Sequence, residues 1–533
     1  MSIYRIENII KGKQKEVCLM KLLTAAQIKT LDQRAIHEKE IPSVKLMEAA
    51  ARAVAAAALS VCPPERVSRG AVVFCGPGNN GGDGIAAARF LLEQGVPVCV
   101  LLVGKQEKMT EDSREMERRL LTAGGRLEHF CPTNEQQLTA CRQAGVLIDA
   151  IFGIGLRAAP REDAAAAIRW MNESPAPVIA ADMPSGVSAD TGQVLNIAVH
   201  AAQTVTFTLP KPGQITGAGS VCCGMLSVVD IGIPKELVDE MPCRTFLLTE
   251  EMVRAKLPVR KADGHKGDFG KVGIVAGSVG YTGAPALAAH GAARTGAGLV
   301  FLHVPNSIYA IEAVKNTEAM VFPIPCEGET LAPAAAEQLL RKLAAYDACL
   351  IGPGLGQSEG ARAVVEGAVL GVDGPLVLDA DGLNLLGMHI NECRARRIPA
   401  ILTPHEGEMK RLGGDLTSGD RISVARSFAE TYGCVLVLKG RGTVVACPNG
   451  DVYVNPTGNA GMAKGGSGDV LSGVLLALLG QGMSPEDAAA AAVYFHGAAG
   501  DLCARRWGQR GMLPSDLISM LPQAFEGNTK ESR

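Results

Sequence analysis

Short apolar runs alternate with helix-length segments along the first half of the chain. Helix-length segments follow Ser43 and cover residues 85–92, with apolar side chains three and four positions apart. The apolar runs are the predicted strands, at residues 71–75, 96–103, 146–148, 178–181 and 204–208. Strands that are apolar throughout and separated by helices indicate a parallel sheet covered by helices on both faces.

A second series of apolar runs follows a charged, proline-spaced stretch at residues 234–263. Its predicted strands are residues 272–276, 299–304, 348–351, 376–378, 400–402 and 435–438. The two series share no residue-level repeat, so we predict two different α/β domains, residues 20–245 and 246–527. Organised patterning begins only near Met20. Residues 1–19 are therefore expected to be a disordered extension, and residues 527–533 a frayed polar tail.

Charge and cysteine content argue against a nucleic-acid-binding, a membrane-bound or a disulfide-rich protein. The 533 residues carry 52 Lys and Arg against 55 Asp and Glu, a net charge of −3, so no basic field attracts nucleic acid or an acidic membrane surface. The 15 cysteines form no CxxC pair, which favours reduced thiols in the cytoplasm. The alanine-rich stretch after Pro42 carries Lys45, Glu48 and Arg52, which argues against a membrane span.

The sequence VVFCGPGNNGGDG leads from a predicted strand into a helix. Its glycines allow tight turns with outward N–H groups, and the helix start adds a positive dipole, so the segment suits a phosphate. An ordinary turn is the alternative. The glycines are Gly76, Gly78, Gly81, Gly82 and Gly84.

Polar residues at two further strand ends point to the same edge of the sheet. Asp149 follows residues 146–148, and Asp182 follows residues 178–181 in AADMPSG. Ligands of open α/β sheets bind beyond the carboxyl ends of the strands, so both aspartates are expected to converge with Asn79, Asn80 and Asp83, and with Ser185. Capping of the following turns is the alternative role. Oxygen atoms gathered in this way could also hold K⁺ or Mg²⁺.

The motifs GPGNNGGDG, IDAIFGIGL and ADMPSG resemble, in order and spacing, those of the NAD(P)H-hydrate epimerase family, which interconverts the R and S hydrates of NAD(P)H. The resemblance implies a Rossmann-like three-layer α/β/α domain, K⁺ at Asn80, Asp149 and Ser185, and Asp182 as the catalytic acid/base. Contacts with the hydrated dinucleotide are implied for Asn79, Asn80, Gly81, Gly82, Asp83, Gly153, Ile154, Gly155, Leu156, Arg157, Ala158, Ala159 and Asp182. The sequence Gly155-Leu156-Arg157 departs from the family's more usual Thr-Gly pattern.

The second half contains GMAKGGSGDVLSG before a long apolar helix predicted to begin near Val470. The N–H groups of Gly465, Gly466 and Gly468 can form an anion hole at the helix start. Asp469 lies on the first turn, where an acid also makes a good helix cap. Phosphoryl transfer to a hydroxyl needs both parts, because the backbone holds the phosphoryl group while the carboxylate accepts the proton.

Other strand ends of the second half carry polar motifs. GPGLG follows residues 348–351, TPHEGE follows residues 400–402 and KGRGT follows residues 435–438. His405 alone could be a surface or capping histidine, but its position after a buried strand favours function. Lys439 and the glycines after it suit a nucleotide. DADGLN adds Asp379 and Asp381, which are suited to indirect contact with a metal ion.

These motifs, with HKGDFGKVGIVAGS and TGAGLV, resemble the ribokinase-like fold and, more closely, the ADP/ATP-dependent NAD(P)H-hydrate dehydratases. The order of the two halves matches the fused, bifunctional NAD(P)H-hydrate repair enzymes of bacteria, which usually take ADP. The resemblance implies that Ala297, Gly354, His405 and Asp469 contact the hydrated nucleotide, with Asp469 catalytic. It assigns the adenine nucleotide to Lys439, Gly440, Arg441, Gly442, Thr443 and Gly468.

The chemistry expected from this resemblance is dehydration through a phosphorylated hydroxyl. Hydroxide is a poor leaving group, and its phosphorylation by Mg²⁺–ADP converts it into phosphate, which the ring nitrogen can expel. The expected partners are hydrated NADH and NADPH, ADP and a second copy of the chain, since we expect a cytoplasmic homo-oligomer. A vitamin-precursor kinase in the second half, with a first half that only binds dinucleotide, is the alternative.

Overall fold

The structure, a computed structural model of the chain, describes residues 4–5, 19–260 and 262–527. Most of the expected extension at residues 1–19 and of the expected tail at residues 527–533 lies outside these residues. The chain divides into two compact units: the first ends at Cys243, and the second begins at Arg244 and also includes Leu19 and Met20.

The first unit is built on short buried strands joined by helices. Its first strand is β1 (Tyr4–Arg5), which is followed in the chain by β2 (Met20–Lys21), a strand of the main sheet of the second unit. The other strands of the first unit are β3 (Ala71–Cys75), β4 (Val98–Leu102), β5 (Leu127–His129), β6 (Val146–Ala150), β7 (Val178–Ala181), β8 (Gln203–Phe207) and β9 (Met225–Val229). Its helices are α1 (Ala25–Glu38), α2 (Ser43–Val61), α3 (Asn79–Glu93), α4 (Glu111–Thr122), α5 (Glu135–Gln143), α6 (Glu162–Glu173), α7 (Pro212–Ile215), α8 (Gly219–Cys222) and α9 (Lys235–Glu240).

The sheet of the first unit is parallel throughout, in the order β1-β9-β8-β7-β6-β3-β4-β5. Apolar clusters pack on both of its faces, which confirms the predicted covered sheet. The chain moves from β3 outward to β4 and then returns to the other side of β3 at β6. The carboxyl ends of β3 and β6 therefore form a topological switch point, where ligands of such sheets bind.

The second unit has more strands than the sequence pattern predicts. They are β10 (Thr245–Leu247), β11 (Lys271–Val275), β12 (Leu299–Pro305), β13 (Met320–Ile324), β14 (Cys326–Glu327), β15 (Thr330–Leu331), β16 (Ala348–Ile351), β17 (Leu376–Leu378), β18 (Ile401–Leu402), β19 (Val435–Leu438), β20 (Val444–Ala446) and β21 (Val452–Val454). Its helices are α10 (Glu250–Ala255), α11 (Gly283–Arg294), α12 (Tyr309–Lys315), α13 (Ala336–Leu343), α14 (Glu359–Gly371), α15 (Asp381–Leu386), α16 (Glu406–Arg411), α17 (Arg421–Tyr432), α18 (Ser467–Gly480), α19 (Pro485–Gly511) and α20 (Pro514–Glu526).

The main sheet of this unit is mixed. Strands run in parallel in the order β13-β12-β11-β16-β17-β18-β19, and β19, β20 and β21 then pair antiparallel. β10 pairs in parallel with β21. The expected alternation of strands and helices misses β20 and β21, because hairpin strands have no helix between them. The α/β fold class itself is confirmed in both units.

Candidate active sites

Helix α3 begins at Asn79, immediately after β3, and not near Ile85 as the pattern predicts. Gly81 and Gly84 therefore lie inside the helix. A Cβ on Gly81 would lie 1.7 Å from the carbonyl oxygen of Gly76, and one on Gly84 would lie 2.5 Å from the Cβ of Ala150. These glycines thus permit close packing of α3 on the sheet and do not form a loop. The N–H groups of the first turn face the carboxyl edge.

Asp182 follows β7 and forms a buried ion pair. Its φ of 63° is unusual for a residue other than glycine, and such strain often occurs at functional sites. The ammonium of Lys211, which is 1% exposed, lies 2.5 Å from Oδ1 of Asp182. Thr206 donates to the same oxygen at 3.0 Å, and Gln214 donates to the Asp182 carbonyl at 2.6 Å. The carboxylate is therefore held in one orientation.

Two more carboxyl groups face this ion pair. Burial raises the pKa of Asp83 well above its ordinary value, and the charges of Asp182 and Asp32 raise it further. Burial also raises the pKa of Asp32 to about 6, against the opposing effect of Lys211. The charges of Asp32, Asp83 and Asp182 are therefore coupled to one another and to that of Lys211 at this end of the sheet.

Asp149 lies in β6, fully buried, and not after the strand as predicted. It accepts bonds from the N–H of Ser185 at 2.7 Å and from the Ser185 hydroxyl at 2.6 Å. Burial raises its pKa to about 6, although the bonds from Ser185 act in the opposite direction. Among the described residues no basic side chain pairs with Asp149. Asn80 packs against Gly153, and its Nδ2 is buried without a hydrogen-bond partner.

The segment after β6 is only partly brought to this site. Phe152 donates to the Ser185 hydroxyl at 2.9 Å, and Gly153 contacts Asn80. Ile154 packs into the apolar clusters beside the site. Leu156 is half-buried, whereas the remaining positions of the predicted contact loop are exposed: Gly155, Arg157, Ala158 and Ala159. The structure thus places Gly153 at the site and the exposed positions on the surface beside it.

In the second unit, α18 begins at Ser467 and not near Val470, so Gly468 lies inside the helix, and Asp469 lies on its first turn as predicted. A Cβ on Gly468 would lie 3.4 Å from Nζ of Lys439 and 3.9 Å from Oδ2 of Asp379. The start of α18 therefore faces a charged pair. Burial raises the pKa of Asp469 to about 6, and the charge of Asp379 adds to this effect while Lys439 opposes it.

Asp379 holds Lys439 in place. Nζ of Lys439 lies 2.9 Å from Oδ1 of Asp379, and the carboxylate also accepts bonds from Thr403 at 2.8 Å and Ser472 at 2.7 Å. Burial alone would raise the pKa of Asp379, but Lys439 and these hydrogen bonds outweigh burial and lower it. Burial acts to lower the pKa of Lys439, but Asp379 and Glu408 reverse that effect and raise it. Lys439 is therefore a cation at neutral pH.

His405 is both a helix cap and a neighbour of this pair. Its Nδ1 accepts from the N–H groups of Gly407 and Glu408, at 3.0 and 3.2 Å, so the capping role considered from the sequence is present. Its Nε2 lies 3.4 Å from Glu408, whose other oxygen lies 3.8 Å from Lys439. His405 is half exposed and therefore available to a ligand beside Lys439.

Gly354 and the KGRGT segment adopt backbone conformations that favour glycine. Gly354 has a φ of 61°, and a Cβ there would lie 2.9 Å from the Cβ of Tyr281. Gly440 and Gly442 have φ values of 150° and 64°. The guanidinium of Arg421 donates to the carbonyls of Leu438 and Lys439, at 3.2 and 3.1 Å, and so anchors the start of the segment. Thr443, at its end, donates to the Gly440 carbonyl at 2.9 Å, and Arg441 lies between the two glycines.

Ala297 is the predicted site residue that the structure does not bring to this group. It precedes β12, at the amino edge of the sheet, next to Gly296 and Gln481. Gln481 follows the last residue of α18, whereas Asp469 lies in its first turn. A helix of 14 residues is about 20 Å long, so Ala297 and Asp469 lie at opposite edges of the unit.

Several residues of these sites were missed from the sequence. Lys211 lies four positions after the end of β8. It could have been found by the rule that points to Asp182, namely that polar residues just after a strand lie at the ligand-binding edge of the sheet (the strand-end rule). The sequence predicts Asp379 only as a possible metal contact, because its ion pair with a lysine 60 positions away is not visible in a local pattern. Glu408 lies in the TPHEGE motif itself. Arg421 has no motif that distinguishes it from a surface arginine.

Comparison with known proteins identifies the family. A family model described as "YjeF-related protein N-terminus" matches residues 43–213, and one described as "NAD(P)H-hydrate dehydratase" matches residues 272–523. A relative from Moorella thermoacetica, named bifunctional NAD(P)H-hydrate repair enzyme Nnr, is 41% identical over 96% of this chain and 98% of its own length. The chain belongs to the family of bifunctional NAD(P)H-hydrate repair enzymes. Its Escherichia coli member is 36% identical over 86% of this chain and 87% of its own length.

Solved structures resemble about half of the chain. The ADP/ATP-dependent NAD(P)H-hydrate dehydratase from Bacillus subtilis, co-crystallised with ATP and Mg²⁺, is 34% identical, covers 52% of this chain and 97% of its own, and has a TM-score of 0.45. A ribokinase-like superfamily protein from Enterococcus faecalis is 26% identical, covers 53% of this chain and 95% of its own, and has a TM-score of 0.47. Membership of the repair-enzyme family agrees with the predicted Rossmann-like first unit and ribokinase-like second unit.

The described residues contain neither a candidate membrane span nor a cluster of metal-binding side chains. No helix in residues 19–260 or 262–527 is long and apolar enough to cross a membrane. Within the same part of the chain, no group of three or more His, Cys, Asp or Glu side chains is arranged to hold a metal ion. The absence of such a group does not extend to sites that include Asn or Ser oxygen atoms, such as the set of Asn80, Asp149 and Ser185.

Proposed function

We propose that the first unit interconverts the R and S hydrates of NADH and NADPH, and that the second unit dehydrates the S hydrate with ADP, giving AMP and phosphate. The observation that carries the proposal is that each unit has its own acid beside a glycine-containing helix start at the carboxyl edge of its sheet, the buried Asp182 or the half-buried Asp469. Two such sites in one chain support two reactions on one damaged cofactor.

In the first unit Asp182 acts as the acid/base at C6 of the reduced ring. The R and S hydrates differ in the configuration at C6, so the hydroxyl must leave one face and return to the other. A proton from the site converts the C6 hydroxyl into water, the ring nitrogen supplies the electron pair, and water returns to the opposite face with loss of a proton. Lys211 fixes the Asp182 carboxylate, and Asp83 and Asp32 hold further protons. The first turn of α3, with Asn79, Gly81 and Gly82, suits the substrate phosphates.

The residues around Asp149 fit a bound K⁺. A fully buried carboxylate without a basic partner is costly, and a cation removes that cost. Asp149, Ser185 and Asn80 supply the oxygen atoms that such an ion prefers. The ion would neutralise Asp149 and orient Asn80 beside Gly153. These three residues are the proposed ligands.

In the second unit Asp469 accepts the proton of the C6 hydroxyl as that oxygen attacks the β-phosphorus of ADP. The O–P bond to AMP breaks, and the phosphorylated hydroxyl then leaves as phosphate when the ring nitrogen donates its electron pair. Lys439 and the N–H groups of the 465–468 turn neutralise the transferring group. Gly354 and His405 are the proposed contacts of the hydrate, and residues 440–443 are those of the adenine nucleotide.

Mg²⁺ would enter with the nucleotide. Asp379 is already bonded to Lys439, Thr403 and Ser472, and Asp381 accepts from the N–H of Gly356 at 2.9 Å. The carboxylates of Asp379 and Asp381 therefore hold neighbouring groups of the protein in place, and few of their oxygen lone pairs are free to bind a metal ion directly. The bound ion would neutralise the nucleotide phosphates.

The test is to supply each purified epimer with ADP or ATP and to follow the absorbance of reduced nicotinamide. The S hydrate with ADP should return NAD(P)H together with AMP and phosphate, and the R hydrate should do so only after epimerisation. A phosphorylated product that accumulates without NAD(P)H would support the kinase alternative and contradict dehydration. The homo-oligomer and the cytoplasmic location remain predictions from the sequence.

A further inference from the structure

Residues 455–466, here named the strap, run along helix α19 before entering the first turn of α18. Four hydrogen bonds fix the first part of the strap. Asn455 donates to the carbonyl of Val493 at 3.0 Å, and Thr457 donates to that of Tyr494 at 2.8 Å. The N–H of Gly458 and Nδ2 of Asn459 both donate to the carboxylate of Asp501, at 3.0 and 2.9 Å.

The face of α19 beneath the strap has no side chains at two positions. A Cβ on Gly497 would lie 2.2 Å from Oγ1 of Thr457, and one on Gly500 would lie 2.3 Å from Sδ of Met462. Residue 497 lies four positions after residue 493, and residues 500 and 501 lie three and four positions after residue 497, so they share one side of the helix. This face therefore receives the strap at van der Waals distance, with Asp501 beside the two glycines.

The strap leads directly into the proposed anion hole. Lys464, near its end, donates to the carbonyls of Arg510 at 2.8 Å and Met512 at 2.6 Å. His496, on the same helix, is buried and hydrogen-bonds the backbone of Ser467. Helix α19 thus holds the chain on both sides of Gly465 and Gly466.

We propose that Asp501 is a positioning residue for phosphoryl transfer, acting through the strap on the N–H groups of the 465–468 turn. The inference rests on the proposed dehydratase function. Asp501 contacts no reacting atom, but it is the side chain that accepts from two consecutive strap residues. Displacement of catalytic groups by about 1 Å can cost 100-fold in rate, so an anchor at one end of a short strap affects the turn at the other.

The donor and acceptor pattern allows an exchange test. Asn459 donates with Nδ2 to Asp501, and its Oδ1 accepts from the N–H of Gly461 at 3.0 Å. In Asp501→Asn an amide group faces two donors, and one acceptor is lost. In the double variant Asn459→Asp/Asp501→Asn, the new carboxylate accepts from the new amide and from Gly461, while the amide oxygen accepts from Gly458. All three hydrogen bonds can then form again.

The experiment compares the full-length protein with Asp501→Asn, Asn459→Asp and the double variant. We expect each single variant to lower kcat for dehydration by about 10- to 100-fold, with smaller changes in KM for ADP and with epimerisation unchanged. The double variant should recover most of the loss. The matched control is Asp487→Asn, which changes a partly exposed aspartate on α19 that pairs with Lys256, and it should stay within about twofold of the parent chain.

Amide hydrogen exchange of residues 458–469 gives a readout independent of activity. We expect faster exchange in the single variants and parent-like exchange in the double variant. Unchanged exchange and kcat in Asp501→Asn would overturn the inference, as would a double variant that folds but recovers neither. A parent chain without dehydratase activity would overturn the proposed function instead, and the exchange data would then decide the positioning role alone.

Discussion

The two units use different means to control a buried acid. Asp182 has a direct ion pair, since Lys211 lies 2.5 Å from its oxygen. Asp469 shares its surroundings with Lys439, but that amine is paired with Asp379 at 2.9 Å. Burial and the charge of Asp379 therefore raise the pKa of Asp469 to about 6, and Lys439 offsets only part of this.

This difference fits the two proposed reactions. The proposed epimerase has to give a proton to the hydroxyl that leaves C6 and take one from the water that returns there, and a carboxylate fixed by an amine keeps its geometry throughout. A phosphoryl-transfer base accepts one proton, and a pKa near the working pH makes it a better acceptor than an ordinary aspartate. The ion pair thus gives orientation in one unit, and burial gives basicity in the other.

The strongest test exchanges the two acids separately for amides. Asp469→Asn removes the proton acceptor, so dehydration should fall by about 100- to 10,000-fold while epimerisation is retained. Asp182→Asn should give the reverse pattern. Assays of each epimer with the full-length variants measure both rates. Loss of both activities from either substitution would contradict the separation of the two sites.

Replacing the two paired lysines, Lys211 and Lys439, should lower the stability of the two units by different amounts. Lys211→Met leaves Asp182 buried without its cation, which typically costs about 3–5 kcal/mol. Lys439→Met should cost less, because Lys439 is more exposed and Asp379 keeps its bonds from Thr403 and Ser472. Hydrogen exchange of peptides from each unit reports the two losses separately.

The matched control for this comparison is Lys235→Met. Lys235 is 75% exposed and pairs with Asp239 four residues later, so its removal should change the stability of the first unit by less than about 1 kcal/mol. If Lys439→Met lowers the free energy of unfolding as much as Lys211→Met or more, the Asp182–Lys211 pair is not the more tightly constrained of the two.

The pH dependence should differ between the reactions. The Asp469 carboxyl must be ionised to accept a proton, and its pKa is about 6, so kcat for dehydration should fall about tenfold per pH unit as the pH falls below about 6. Because the folded pKa lies above the ordinary value of 3.8, the protonated carboxyl favours the folded state. That contribution is complete below pH 3.8 and is lost as the pH rises through about 6.

Between pH 4 and pH 8 the parent chain should therefore lose about 3 kcal/mol of stability through this carboxyl group, and Asp469→Asn should not show this loss. Urea unfolding of the parent chain and the variant at several pH values measures the difference. A dehydration profile that stays flat to pH 4.5 would show that Asp469 is not the group that titrates.

How far the sequence predicts these sites depends on whether a contact is local. The strand ends with Asp182, Lys439 and His405 follow from apolar runs and the strand-end rule. The ion pair of Asp379 with Lys439, and that of Asp182 with Lys211, depend on how strands are ordered in the sheet, which a local pattern does not contain. The sequence predicts a loop at the glycines of α3, and this is wrong. Glycine is favoured both in turns and where a helix packs closely, so the residue type alone does not tell the two apart.

The smallest expected effect concerns a single methyl group in each site. Gly468→Ala places a Cβ 3.4 Å from Nζ of Lys439, an ordinary contact, and alanine favours a helix over glycine by about 1 kcal/mol, so the unit should stay folded. The methyl group would nevertheless stand where the phosphoryl group meets Lys439, and we expect kcat for dehydration to fall by about three- to tenfold. Gly155→Ala, with nothing within 4 Å of the added Cβ, should change epimerisation by less than about twofold. An equal or larger loss for Gly155→Ala would mean that the exposed loop closes on the substrate, so that its surface position does not describe the working state of the first unit.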